Sequence, residues 1–248
     1  MTDTLVPARA IVRAESKYFY FHMMLLCTAI GFLGFLPTYW MPMATGAPIN
    51  KAPVSHIHGI IYFAWSLYIV FQSWLGATGQ IVRHRAVGLI GVSLTTAMVI
   101  FGVMAVMRFM AETAAAGQPE AGVAIAAVAL SNVGLFAVLV TAALVNIRRP
   151  EWHKRLMVMA AISILGAPIA RWFIVYLHML PPRDAIADWI VVMLALVPLL
   201  HDWRTRGKPH NAYWIALTAI VAVRLVRGPV IASHTWHSVT GWLASLAG

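Results

Sequence analysis

Acidic residues are scarce: the chain has 248 residues and holds 8 Asp+Glu against 18 Lys+Arg. Charged residues of all kinds make up only 10% of it, while hydrophobic residues make up 61%. A soluble domain carries about 25% charged residues, so this balance, with a mean hydropathy of +0.79, belongs to a membrane protein. Few carboxylates also means little material for a proton relay built on Asp and Glu. Cys27 is the single cysteine, which excludes an intrachain disulfide and any zinc or iron–sulfur site built on thiolates. No lysine falls inside an apolar run, so a retinal Schiff base is excluded. Gly-x-Ser-x-Gly, Walker-type and His-Glu-x-x-His motifs are all missing. The basic residues are not interleaved with aromatics, so no nucleic-acid partner is expected. The leading stretch MTDTLVPARAIVRAESK has no apolar core, and a cleaved signal peptide is not expected there.

Long apolar runs are plentiful. Seven of them predict membrane-spanning helices over 18–40, 56–79, 87–107, 123–147, 156–179, 189–200 (with a leading extension from 185) and 213–231. Pro168 is expected to kink the fifth. The Gly and small polar residues of the third predict close helix contacts. Residues 1–17 read as a cytoplasmic segment, 18–231 as one transmembrane domain, and 232–248 as an interfacial helix anchored by Trp236 and Trp242. Lys and Arg concentrate in the N-terminal segment and in the loops after spans two, four and six. The positive-inside rule then predicts an all-α polytopic bundle in a cell inner membrane, N-terminus cytoplasmic and C-terminus outside.

Polar residues inside such runs are costly unless they find partners. His58, Trp65 and Gln72 lie seven residues apart on the second span and share one helix face, which is expected to look into the bundle toward the buried guanidiniums. Arg171 lies well inside the fifth span, and Arg224 and Arg227 share a face of the seventh. No Asp or Glu falls in the middle of any run, so these arginines are expected to lack an acidic partner and to take a bound anion, a propionate or a quinone-like oxygen.

The ten histidines leave three readings open. His58 with His178, or His84 with His153, can clamp a haem b iron as paired imidazoles from facing helices do. His84, His153 and His210 each begin an odd-numbered helix on the cytoplasmic side and can bind a divalent metal; His56-x-His58 with His234-x-x-His237 is a comparable outer set. In the third reading all of them are headgroup-level residues that cap helices and touch lipid phosphate. Function therefore divides between a redox or cofactor-binding membrane protein, a non-catalytic accessory subunit of a larger membrane complex or homo-oligomer, and a carrier of a small anion or lipid.

Several of these pieces also carry a resemblance. They are His58, Trp65 and Gln72; His84-Arg85-x-x-Gly88 with Gly91; His153-Lys154-Arg155-Leu156-Met157 leading to Arg171-Trp172; and Arg204-x-Arg206-Gly207-x-x-His210 with Arg224. Together they resemble a family of bacterial multi-pass inner-membrane proteins with no assigned activity. The resemblance implies the seven-helix fold and singles out His58, His84, His153, His210, Arg171 and Arg224. It implies no substrate.

Overall fold

The computed structural model describes residues 17–49, 51–178 and 183–245. The expected cytoplasmic segment up to residue 16, the turn at 181–182 and the last residues of the tail lie outside the described residues. The elements in chain order are α1 (Phe19–Phe35), a π-helical turn (Leu36–Trp40), α2 (Met41–Thr45), α3 (Pro53–Ala77), α4 (Ile81–Ala86) and α5 (Gly88–Ala115). Then come α6 (Pro119–Val145), α7 (Pro150–Ser163), α8 (Gly166–Val175), α9 (Arg183–Arg206), α10 (Asn211–Ile231) and α11 (His234–Ser245). Among the described residues, seven segments are long and apolar enough to cross a membrane: Phe19–Thr45, Pro53–Ala77, Gly88–Ala115, Pro119–Val145, Pro150–Val175, Ala185–Arg206 and Asn211–Ile231. The protein is an all-α, multi-pass integral membrane bundle.

Helix boundaries follow from local chemistry. Proline opens α3, α6 and α7, where its missing N–H is an orphan anyway. Gly117 and Gly207 end α5 and α9 with positive φ values of 73° and 76°, a conformation that costs glycine nothing.

Several connections expected as loops are helical. Residues 41–45 are not loop, because the first span widens rather than stops at Pro37. The Met41 N–H reaches back five residues to the Leu36 carbonyl, and α2 continues to Thr45. The expected loop 108–122 shrinks to three residues between α5 and α6, and Arg108 pairs with Glu112 one turn on at 3.0 Å. The basic stretch after α3 is the short helix α4. The fifth span begins at Pro150 rather than 156, which places Lys154 inside a helix, paired with Glu151 at 2.9 Å.

That fifth span is the axis of the bundle. Buried residues fill 61% of its most apolar window, against 17% for the second, third and seventh spans. α1, α6, α9 and α10 pack on α7 and α8, while α3 and α5 close the ring between α1 and α6. Its Val158, Met159, Ala160 and Ile162 are all fully buried. Proline breaks it where expected. Pro168 cannot donate to the Ile164 carbonyl, so α7 ends at Ser163 and α8 restarts at Gly166. Gly34 of α1 lies against the break, so close that a Cβ there would stand 2.5 Å from Pro168 Cβ.

Alternating helix direction sorts the polar residues to two ends. The near end collects the start of α1, α4, the starts of α7 and α10 and the end of α9. There Phe19 stacks on His201 at 3.6 Å, and Tyr213 donates to Tyr20 at 3.4 Å. At the far end α11 folds back on α5 and α6, with the Trp236 indole N–H donating to the Val123 carbonyl at 3.1 Å.

Candidate functional site

The polar face of α3 does turn inward. Trp65 and Gln72 are buried, and Trp65 meets Phe136 edge-on at 5.0 Å. Their partners are not guanidiniums. Gln72 Nε2 donates to the Tyr68 hydroxyl at 2.6 Å, and its Oε1 is buried without a partner. His58 is half-buried against Tyr62, with ring centres 4.1 Å apart and its Nδ1 unpartnered. Its ring lies near the Phe101 backbone and within electrostatic range of the Arg171 guanidinium.

The near end brings two of the predicted metal-binding histidines together. His84 on α4 and His153 in the first turn of α7 stand with ring centres 6.3 Å apart and planes at 86°. The His84 Nδ1 lies 3.2 Å from the Gln72 carbonyl oxygen, and the His153 Nδ1 lies 2.9 Å from that of Ala143. A carbonyl oxygen only accepts, so each neutral ring carries its proton on Nδ1 and presents the Nε2 lone pair. Ala143 lies in the last turn of α6, whose carbonyls lack intrahelical partners, and Gln72 lies one turn further back from the end of α3.

His210 stands elsewhere. Its Nδ1 accepts the Ala212 N–H at 3.1 Å, which caps α10, and its ring meets Trp152 edge-on at 5.0 Å. Burial at the helix end, aided by the nearby Arg155 and Arg206 guanidiniums and opposed by Asp202 and Glu151, holds its pKa below the ordinary histidine value. Among the described residues no group of three or more His, Cys, Asp or Glu is close enough to hold a metal. The other outer histidines scatter as well. His56 bonds Tyr39 at 3.1 Å, His237 bonds the Ile231 carbonyl at 3.1 Å, and His178 is exposed beyond α8.

Beside His210 lies an ion network that the sequence reading passed over. The Arg155 side chain is completely buried and grips Asp202, also completely buried, through Nε at 3.1 Å and Nη2 at 2.6 Å. Arg155 Nη1 also reaches Glu151 at 2.6 Å, and Glu151 accepts from Arg206. Asp202 further accepts the His210 N–H at 3.0 Å. One cluster thus ties the fifth, sixth and seventh spans together. Both acids lie near the end of a span, so neither stands out in the sequence as a mid-span carboxylate.

At the far end the expectation of arginines without an acid is overturned for Arg224 and Arg227. Asp188 sits in the second turn of α9, level with the end of α10. Arg227 donates to it at 2.5 Å, and also to Asn132 at 2.5 Å and Ser131 at 2.9 Å. Arg224 Nε stands 3.2 Å from the other oxygen of Asp188. Arg171 has different neighbours: its guanidinium lies 4.2 Å from the centre of the Phe35 ring, and Nη1 donates to Ala167 of its own helix at 3.4 Å. Comparison with family models, curated proteins and solved structures returns no match.

Proposed function

We propose that this integral membrane protein is a redox or cofactor-binding protein that holds one transition-metal centre, as haem iron or as a bare divalent ion, between His84 and His153. The separation of the two rings carries this reading. An imidazole nitrogen lies about 1 Å from its ring centre and binds such metals at about 2 Å, so two rings holding one ion in line stand about 6 Å apart. The observed distance is 6.3 Å. The ligands are also prepared on their far sides. Metal-binding histidines donate their other N–H to a carbonyl or carboxylate, which fixes the tautomer and raises basicity. Both rings have that carbonyl. They belong to different helices, so a bound metal would also clasp α4 to α7. His210 serves as a helix cap in this reading and is not a ligand.

The test is the absorption spectrum and elemental content of the purified protein. A Soret band identifies haem; a stoichiometric transition metal without one identifies a bare ion. His84→Ala and His153→Ala are each expected to lose the metal while the helical content measured by circular dichroism is kept. A wild-type protein with neither chromophore nor metal overturns the reading and leaves the accessory-subunit and carrier alternatives.

A further inference from the structure

At the far end of the bundle two guanidiniums share one carboxylate. Each of the three nitrogens of Arg227 donates a hydrogen bond, to Ser131, Asp188 and Asn132. Arg224 does not. Its Nη1 donates to the Ile220 carbonyl one turn back at 3.0 Å, and its Nε faces Asp188 at 3.2 Å without the alignment of a hydrogen bond. Its Nη2 is buried with no partner, although only 6% of the side chain is exposed. A buried guanidinium left with an unmet donor is among the costliest groups a protein can hold.

We propose that the open edge of Arg224 holds one oxyanion, a carboxylate or phosphate group. Charge is the first argument. Among the described residues, Arg224 and Arg227 bring two positive charges against the single negative charge of Asp188, and Asn132 and Ser131 are neutral, so one positive charge is left over. Shape is the second. The Nε–Nη2 edge of a guanidinium is a planar fork that suits a two-oxygen acceptor, and Asp188 meets only its Nε corner, off line. A neighbouring donor is the third. Gly166 of α8 borders Asp188 and Asn132, and a Cβ there would be in ordinary contact, 3.7 Å from Asp188 Oδ1 and 3.8 Å from Asn132 Nδ2. Asn132 has its Oδ1 committed to Arg227, so its amide is left as a second donor in the cluster. Asp188 is 19% exposed, so the cluster reaches the surface of the bundle through that carboxylate. The site lies where α9 begins and α10 nears its end, within reach of lipid headgroups as well as of small anions. This inference is independent of the histidine pair, which sits at the opposite end.

The test uses the full chain, purified in neutral detergent and stripped of bound lipid. Thermal unfolding is followed by tryptophan fluorescence under two titrations. One adds inorganic phosphate against chloride at matched ionic strength. The other adds phosphatidylglycerol to the micelles, with phosphatidylcholine as control. The wild type is expected to rise in midpoint in at least one: with phosphate if the site takes a free anion, with phosphatidylglycerol alone if it takes a lipid. Arg224→Gln removes a charge-assisted contact and is expected to weaken that response about tenfold or more. Should Arg224→Gln fail to fold, Arg224→Lys carries the test, because it keeps a cation for Asp188 but has no planar edge; a weakened response is expected there too. A wild type that answers neither titration overturns the proposal. So does a folded Arg224 variant that responds like the wild type.

Discussion

At the scale of single residues the firmest structural commitment is Arg155. It is fully buried, and so is its bidentate partner Asp202. Truncating one partner of such a pair leaves the other charge stranded, at a cost of about 3–5 kcal/mol. Arg155→Met is therefore expected to lower stability by about that much in reversible unfolding in mixed micelles. The double variant Arg155→Met/Asp202→Leu, with no charge stranded, should recover a large part of the loss. Equal losses in the single and double variants would show that the pair contributes more than its own desolvation takes away.

His210 adds a pH dependence at the same scale. Its folded pKa lies below its unfolded value, so the unfolded chain binds the proton more readily. The sign follows: the contribution is complete above the unfolded pKa, near 6.5, and is lost as pH falls below it. The unfolding midpoint should thus drop on acidification below that value. His210→Asn, which keeps an acceptor for the Ala212 N–H, should flatten the drop. The importance of these residues was only half legible. His210 and Arg155 stand out as polar residues at span edges, but pairing across the 47 positions between Arg155 and Asp202 is a tertiary fact that no local pattern encodes.

Helices raise a different question, because their number and order can be read from hydropathy while their contacts cannot. The break at Pro168 was legible, since proline removes one specific donor. That α1 would press Gly34 into that break was not: Gly31 and Gly34 look alike in the sequence. The structure separates them. A Cβ at Gly34 would meet Pro168 backbone and side chain at 2.5 Å, and one at Gly31 would meet nothing within 4 Å. Rigid backbone gives way poorly, so Gly34→Ala is expected to cost about 1–3 kcal/mol and Gly31→Ala almost nothing, read out by thermal unfolding. A milder contrast holds between Gly102, where a Cβ would sit 2.7 Å from the tip of the Tyr62 side chain, and Gly134, which faces open space. Span lengths were misjudged for a related reason. Arg108, Glu112 and Lys154 read as loop residues by polarity, yet each is satisfied within one helical turn by an opposite charge. A helix can carry such pairs past the apolar core without ending.

For the whole molecule the question is which end faces the cytoplasm. The ion network changes the count on which that inference rests. Lys154, Arg155 and Arg206 all pair with Glu151 or Asp202, so their charge is largely spent inside the protein. Arg83, Arg85, Arg148, Arg149, Arg204 and Lys208 remain at the near end. At the far end the chain holds Lys51 and Arg183, while Arg108 is matched by Glu112. The bias therefore survives removal of the paired charges, and the positive-inside rule still directs the near end to the cytoplasm. Cys27 is buried, and replacing it by Ala gives a clean background for labelling. On that background Ala116→Cys, exposed in the turn between α5 and α6, should react with a membrane-impermeant maleimide on intact cells. Ile147→Cys, 61% exposed between α6 and α7, should react only after the membrane is opened. The reverse pattern would invert the molecule. It would turn His84 and His153 toward the outside, and any metal held there would then have to be acquired beyond the membrane rather than from the cytoplasmic pool.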